Sequence, residues 1–298
     1  MADRAGLASY LTYRAGSLIA QFVPPIVGEP FARGLGRVAS AGMPERRRMV
    51  AKHMVRASRG KLRGLNLERA VTEVFDSYAR YWVDMFRLPN EWKSSVLRNF
   101  SVEGYEHLET ALAKGRGAIV VLPHLGGWEW GGAWIAEAKG EHIMVVVERV
   151  EPPELFEWFV QARSAMGMEV VAVGDDVATK ATKALGDNRI VCLVSDRDLG
   201  RDGVPVEFFG EMTTLPAGPA TLALRAGAAL IPVAVYFERG RRHHGVIKEP
   251  IDTTRGTGRL RDDVARITQA MAYELEKLIE VAPEQWHLMQ PNWPSDFE

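Results

Sequence analysis

The chain has 298 residues, of which 47% are hydrophobic and 25% charged, with a formal net charge of -1. Those proportions are ordinary for a globular protein with a sizeable core, and they exclude a collagenous or disordered chain. The single cysteine, Cys192, excludes a disulfide framework, and no Cys/His cluster has zinc spacing.

The near-neutral total hides an asymmetry. Residues 1–64 carry about +9 and the remainder about -10. The basic segment also holds Leu7, Leu11, Leu18, Ile19, Phe22, Val23 and Ile26. That mixture suits an anionic membrane surface, which is favoured over a solvated face on helices that pack on a core. No nucleic-acid recognition motif accompanies the charge, so no nucleic-acid partner is expected. Leu18 to Val27 is the nearest approach to a membrane span, but Gln21 and Pro24-Pro25 interrupt it well short of the roughly 20 apolar residues required. No signal-peptide pattern is evident either, so a cytoplasmic protein is expected.

Residues 1–100 read as helical. Leu67, Val71, Val74, Phe75, Tyr78, Tyr81, Trp82 and Met85 recur at helical spacing between Leu65 and Leu88, which predicts a core-facing stripe. From Val102 onward apolar runs alternate with helical stretches. Strands are predicted at Ala118–Leu122, Ile143–Val147, Glu169–Val173, Ile190–Ser195, Val204–Phe208, Ala229–Phe237 and Val246–Lys248. Helices are predicted at Trp128–Ala138, Pro153–Met166, Val177–Leu185, Pro216–Ala226 and Leu260–Val281. Cys192 falls inside a strand as a packed residue, and His243-His244 reads as an exposed turn. The alternation predicts an α/β fold, one central mixed sheet flanked by helices with a helical N-terminal region. No linker or repeat divides the chain, so a single domain over residues 1–298 is expected, with residues 1–100 helical and 101–298 forming the α/β core.

The most informative stretch is Pro123-His124-Leu125-Gly126-Gly127-Trp128-Glu129, directly after the apolar run Ala118–Leu122. Residues five apart on a helix point about 140° away from each other. A strand, a glycine turn and a helix start would instead let His124 and Glu129 meet. A carboxylate on one ring nitrogen fixes the tautomer and leaves the other nitrogen free to accept a proton. His124 with Glu129 is thus a candidate general-base dyad, and the Gly126 and Gly127 backbone a candidate source of oxyanion donors. A second cluster, Ser195-Asp196-Arg197-Asp198, follows the strand Ile190–Ser195, and the sequence leaves open which of Asp196 and Asp198 assists His124. Glu148 ends a strand, where it could enter a cleft or stand as an exposed charge beside Arg149. No Gly-x-Ser-x-Gly elbow appears, which weighs against a serine hydrolase.

The His-x4-Glu block resembles the signature of the glycerolipid acyltransferases. Together with Glu148-Arg149, Arg163, Asp196-Arg197-Asp198, Phe208-Phe209-Gly210, Ile231-Pro232 and Gln285-Trp286, it is similar to the lipid A/phosphatidylinositol mannoside acyltransferase superfamily. The Asp-Arg-Asp-Leu block and the stretch Gln285-Trp286-His287-Leu288-Met289-Gln290-Pro291 resemble the actinobacterial phosphatidylinositol mannoside branch, although that branch commonly has Asp where this chain has Glu129. The resemblance implies transfer of a fatty acyl chain, palmitoyl by preference, from acyl-CoA to a mannose hydroxyl, at the cytosolic face of the plasma membrane. It implies catalysis by His124 with Glu129 and Asp198, and substrate binding by Glu148, Arg163, Arg197, Gly126 and Gly127. It implies acyl-CoA as co-substrate with no metal or other cofactor. Another lipid acceptor, such as a lipid A precursor or a lysophospholipid, would use the same chemistry. A lipid-binding protein without turnover is the reading from a different class.

Overall fold

A computed structural model describes residues 40–297 apart from residue 175, with residues 30, 34 and 36–38 and without the side chains of residues 89–92. The apolar N-terminal positions from Leu7 to Ile26 lie outside the described residues. Helix α1 spans Pro44–Ala57, and its proline stands where a helix needs no N–H. After it comes the long α2 (Gly64–Asn99). There follow β1 (Phe100–Glu103), α3 (Tyr105–Leu112), β2 (Ala118–Leu122) and α4 (Trp128–Trp134), which runs into a π-helical turn at Ile135–Lys139. Next come β3 (Ile143–Val147), α5 (Pro153–Ala165), β4 (Met168–Ala172), α6 (Val177–Gly186) and β5 (Ile190–Val194). The remainder is β6 (Val204–Phe208), β7 (Glu211–Leu215), α7 (Gly218–Ala226), β8 (Ala229–Phe237), β9 (His243–Ile247) and α8 (Leu260–Val281).

Seven strands form one sheet in the order β1-β9-β8-β2-β5-β3-β4. Every neighbouring pair is parallel except β8 with β9. Helices cover both faces, so the central strands read as continuous apolar runs; all five residues of β2 are buried. Their side chains divide by the strand's two-residue period. Ile119 and Val121 enter a core with α1, the first half of α2, α7 and α8. Ala118, Val120 and Leu122 enter a second core with α3, α4 and α5.

The predicted α/β architecture is what the structure shows. β6 and β7 pair apart from the main sheet as an antiparallel hairpin. Phe209 and Gly210 form its turn with φ of 54° and 76°, the left-handed pair that suits a two-residue hairpin. Among the described residues, no helix is long and apolar enough to cross a membrane.

One local expectation is corrected. His243 is not in an exposed turn: the turn is made before it, and His243 pairs with Phe237 at the start of β9. Its fully buried ring stacks on Trp130 at 4.0 Å, and its Nε2 lies 3.5 Å from Asp84 Oδ2.

Candidate active site

β2 and β5 are parallel neighbours, with Leu122 opposite Val194. Two residues beyond each of these stand His124 and Asp196, so the register alone brings them side by side. The backbone locks the pair: Ser195 N donates to Leu122 O at 2.9 Å and His124 N to Asp196 Oδ2 at 3.1 Å. His124 Nδ1 lies 2.6 Å from Asp196 Oδ1. The Asp196 side chain is fully buried, whereas that of His124 is 35% exposed. The site therefore lies at the carboxyl ends of parallel strands, where such sheets open a crevice.

Asp196 is held as an anion. Burial alone would raise its carboxyl, but the adjoining His124 ring, the Trp286 indole and the His124 backbone N–H outweigh it and set the group below the usual carboxylate range. Trp286 Nε1 donates to Oδ2 at 2.7 Å, and Asn292 Nδ2 donates to the Asp196 carbonyl at 3.1 Å. A carboxylate in that position accepts Nδ1–H and leaves Nε2 as the basic nitrogen.

The glycine pair is dictated by close packing. Gly126 has φ 58°, and a Cβ there would stand 1.8 Å from the Val235 carbonyl oxygen. A Cβ on Gly127 would meet the His243 ring at 3.0 Å. Both N–H groups are spent inside the protein, Gly126 on Gln285 O at 2.9 Å and Gly127 on Val235 O at 3.2 Å. The expectation that these two amides face a developing oxyanion is therefore corrected.

Glu129 does not reach His124. It sits in the first turn of α4, buried, and its Oε1 accepts from Tyr81 Oη at 2.8 Å and from Arg163 Nη2 at 3.0 Å. Burial, and then the Glu129 charge, push the Tyr81 phenol well above its ordinary range, so it remains a donor. Arg163 lies over the rings of Trp128 and Phe159. Glu129 thus ties α2, α4 and α5 together beneath the histidine loop.

Asp198 also lies elsewhere. Its Oδ2 accepts from Gly203 N at 2.8 Å and Thr214 Oγ1 at 2.7 Å, which closes the loop between β5 and β6. β5 ends at Val194 and the chain bends at Asp196, so Asp196 and Asp198 do not stay on one face as residues two apart on a strand would. Arg197, one strand over from β3, pairs with Glu148 at 2.5 Å. The nearness of Glu148, Arg197 and Asp196 follows from the order β2-β5-β3. Arg163 and Arg197 each keep a buried Nε–H with no partner among the described residues.

Sequence reasoning did not assign functional roles to Trp286, Asn292 or Tyr81. The first two lie some 90 residues beyond Asp196 in the chain. Tyr81 reads as one more member of the apolar stripe of α2, and nothing in its spacing marks its bond to Glu129. Next to the pair lies a small apolar cavity of about 40 Å³. Its lining includes Pro123 and Leu125, the two neighbours of His124, with Leu122, Trp128, Val145 and Val235. Cys192 also lines it, its thiol pushed up to about 12 by burial. Among the described residues, no group of three or more His, Cys, Asp and Glu could hold a metal ion.

Comparison with known proteins gives a consistent picture. The family model described as bacterial lipid A biosynthesis acyltransferase matches residues 7–295. A phosphatidylinositol mannoside acyltransferase of Mycobacterium tuberculosis is 39% identical over 227 residues, covering 74% of this chain and 69% of that protein. The protein of the same name from Mycolicibacterium smegmatis is 37% identical over 296 residues, covering 98% and 93%.

Proposed function

The chain belongs to the bacterial lipid A biosynthesis acyltransferase family, and from that membership and the His124–Asp196 pair we propose that it transfers a long acyl chain from acyl-CoA to a mannose hydroxyl of phosphatidylinositol mannosides. The observation that carries the chemistry is a half-exposed imidazole, oriented by a buried carboxylate, beside an apolar cavity. His124 Nε2 takes the proton from the acceptor hydroxyl as its oxygen attacks the thioester carbonyl. Asp196 holds the tautomer and stabilises the imidazolium. The tetrahedral intermediate then expels the CoA thiolate, and the imidazolium returns its proton to that sulfur. The products are the acyl ester and CoA thiol, with no other reactant needed. The guanidinium groups of Arg163 and Arg197, whose Nε–H groups have no partner among the described residues, carry positive charge suited to an anionic part of either substrate.

The acyl chain belongs in the apolar cavity, with palmitoyl as the donor that the family resemblance favours. Membrane contact is assigned to α1 and its flanks. Arg46 and Arg48 are exposed there, as are Val38, Met43, Val55 and Leu65. A surface of that composition docks on anionic headgroups at the cytosolic face of the plasma membrane. Arg47 is less available, because it binds Glu68 at 2.5 Å.

Radiolabelled palmitoyl-CoA, incubated in turn with phosphatidylinositol mannosides, a lysophospholipid and a lipid A precursor, tests this reading. Label in the mannoside product alone is expected. Label in another acceptor reassigns the substrate, and the absence of label in every product overturns acyl transfer from CoA.

A further inference from the structure

The cavity beside His124 is too small for the chain assigned to it. Its volume of about 40 Å³ holds only a few water molecules. A long acyl chain enters only if the walls separate, so the wall that can yield decides which chains fit. One wall is the sheet, including Val145, Cys192 and Val235; the facing wall is α4 with Ile135 at its π-helical turn. The walls approach closely at Gly131. A Cβ built there would stand 2.9 Å from Val235 Cγ2, and 3.8 Å from Phe100 Cζ. Both Gly131 and Val235 line the cavity, so that contact lies on the path between the walls. At Gly132, by contrast, the contact is with the flexible end of Met168, at 2.8 Å from its sulfur.

We propose that Gly131 is a specificity-determining position: the missing side chain there leaves the space opposite Val235 through which a long acyl chain passes once the walls yield. The inference rests on the acyl-transfer reading above for its substrate class. The π-helical turn Ile135–Lys139 at the end of the same wall supports it, because none of its five residues is buried and such turns are frequent at functional sites. A methyl group at Gly131 removes the slack and penalises each further methylene that must pass.

The experiment compares wild type, Gly131→Ala and the double variant Gly131→Ala/Val235→Ala. Transfer from octanoyl-, lauroyl- and palmitoyl-CoA is measured as kcat/KM. In parallel, free fatty acids of the same lengths are tested for the rise each gives in Tm over the unliganded form of the same variant. In Gly131→Ala the palmitoyl-to-octanoyl ratio of kcat/KM falls about tenfold or more, the scale on which apolar pockets discriminate by methylenes. The palmitate-dependent rise in Tm is lost while that from octanoate persists. Trimming Val235 restores both palmitoyl readouts, and the dependence on chain length separates this from a general folding defect, which would lower transfer of every chain alike. An unchanged ratio, an equal loss for all chain lengths, or no rescue by the double variant overturns the proposal. If wild type transfers no acyl chain, the acyl-transfer reading fails, and the fatty-acid series decides the role of Gly131 by binding alone: length-selective loss supports it and a uniform response overturns it.

Discussion

Replacing Asp196 with Asn should reduce turnover by about 10³–10⁴-fold in a folded protein. The magnitude follows from what the carboxylate does. Its two oxygens accept three bonds, from His124 Nδ1 at 2.6 Å, His124 N at 3.1 Å and Trp286 Nε1 at 2.7 Å. An amide has one acceptor atom. If that oxygen serves Trp286 and the His124 backbone, the amide NH₂ faces Nδ1. The ring must then accept at Nδ1 and carry its proton on Nε2, which is the wrong tautomer for a base. If the amide flips, its NH₂ meets two N–H donors in a buried site. Either arrangement raises the barrier by about 4–5 kcal/mol. The comparison needs saturating acyl donor and acceptor, so that kcat reports chemistry rather than binding. Asp198→Asn is the internal control: it loosens the bonds to Gly203 and Thr214 and should lower Tm more than it lowers kcat. Retention of a tenth of wild-type kcat by Asp196→Asn, or a larger loss from Glu129→Gln, would refute the assignment of Asp196 as the group that orients His124.

Gly126→Ala should yield little folded protein, because its Cβ would stand 1.8 Å from a backbone oxygen and φ is 58°; a wild-type Tm would contradict that packing. Stability should fall on acidification from neutral pH. Burial lowers His53 to about 4 and His287 to about 3, so both stay neutral in the fold while the unfolded chain takes up protons near 6.5. The stabilisation is whole above that pH and diminishes as pH falls toward the folded values, by about 2 kcal/mol per histidine at pH 5. Urea midpoints that do not change between pH 7.5 and 5 would show that these rings are not buried neutral. Arg46→Glu with Arg48→Glu should weaken partitioning onto anionic vesicles at low salt, each arginine near the surface being worth about 1 kcal/mol. Equal partitioning of the variant and wild type in a sedimentation assay would remove α1 from the membrane contact.

Most of the sheet is legible in the sequence because its strands are buried on both faces. Ala118–Leu122, Ile143–Val147 and Ala229–Phe237 are uninterrupted apolar runs and match β2, β3 and β8. The strands that escape notice lack that signature: β1 is a four-residue strand, and β7 carries Glu211 and two threonines. The stripe from Leu65 to Leu88 marks α2, but the proline at position 89 suggests an end that the helix does not take, since it continues to Asn99. His124 stands out because a lone histidine follows a buried strand and precedes two glycines. Its partner does not, because proximity along the chain favours Glu129, whereas strand order decides for Asp196. Once β2 and β5 are known to be adjacent and parallel, counting two residues past each strand finds the pair.

The segment from Gln285 to Asp296 gives the site a history as well as a shape. Gln285 O accepts from Gly126, His287 N donates to His124 O at 2.7 Å, and Trp286 and Asn292 hold Asp196. The same segment is gripped by α1, through Arg56 to Ser295 at 2.7 Å and Asp296 at 2.8 Å and through His53 to the Gln290 carbonyl at 2.9 Å. During synthesis on a ribosome, His124 and Asp196 emerge well before the residues that immobilise them. A nascent chain with β2 and β5 already paired still has a water-exposed carboxylate and an imidazole free to turn. Competence for chemistry therefore arrives late, only after α1, made early, has captured a segment made more than two hundred residues afterwards.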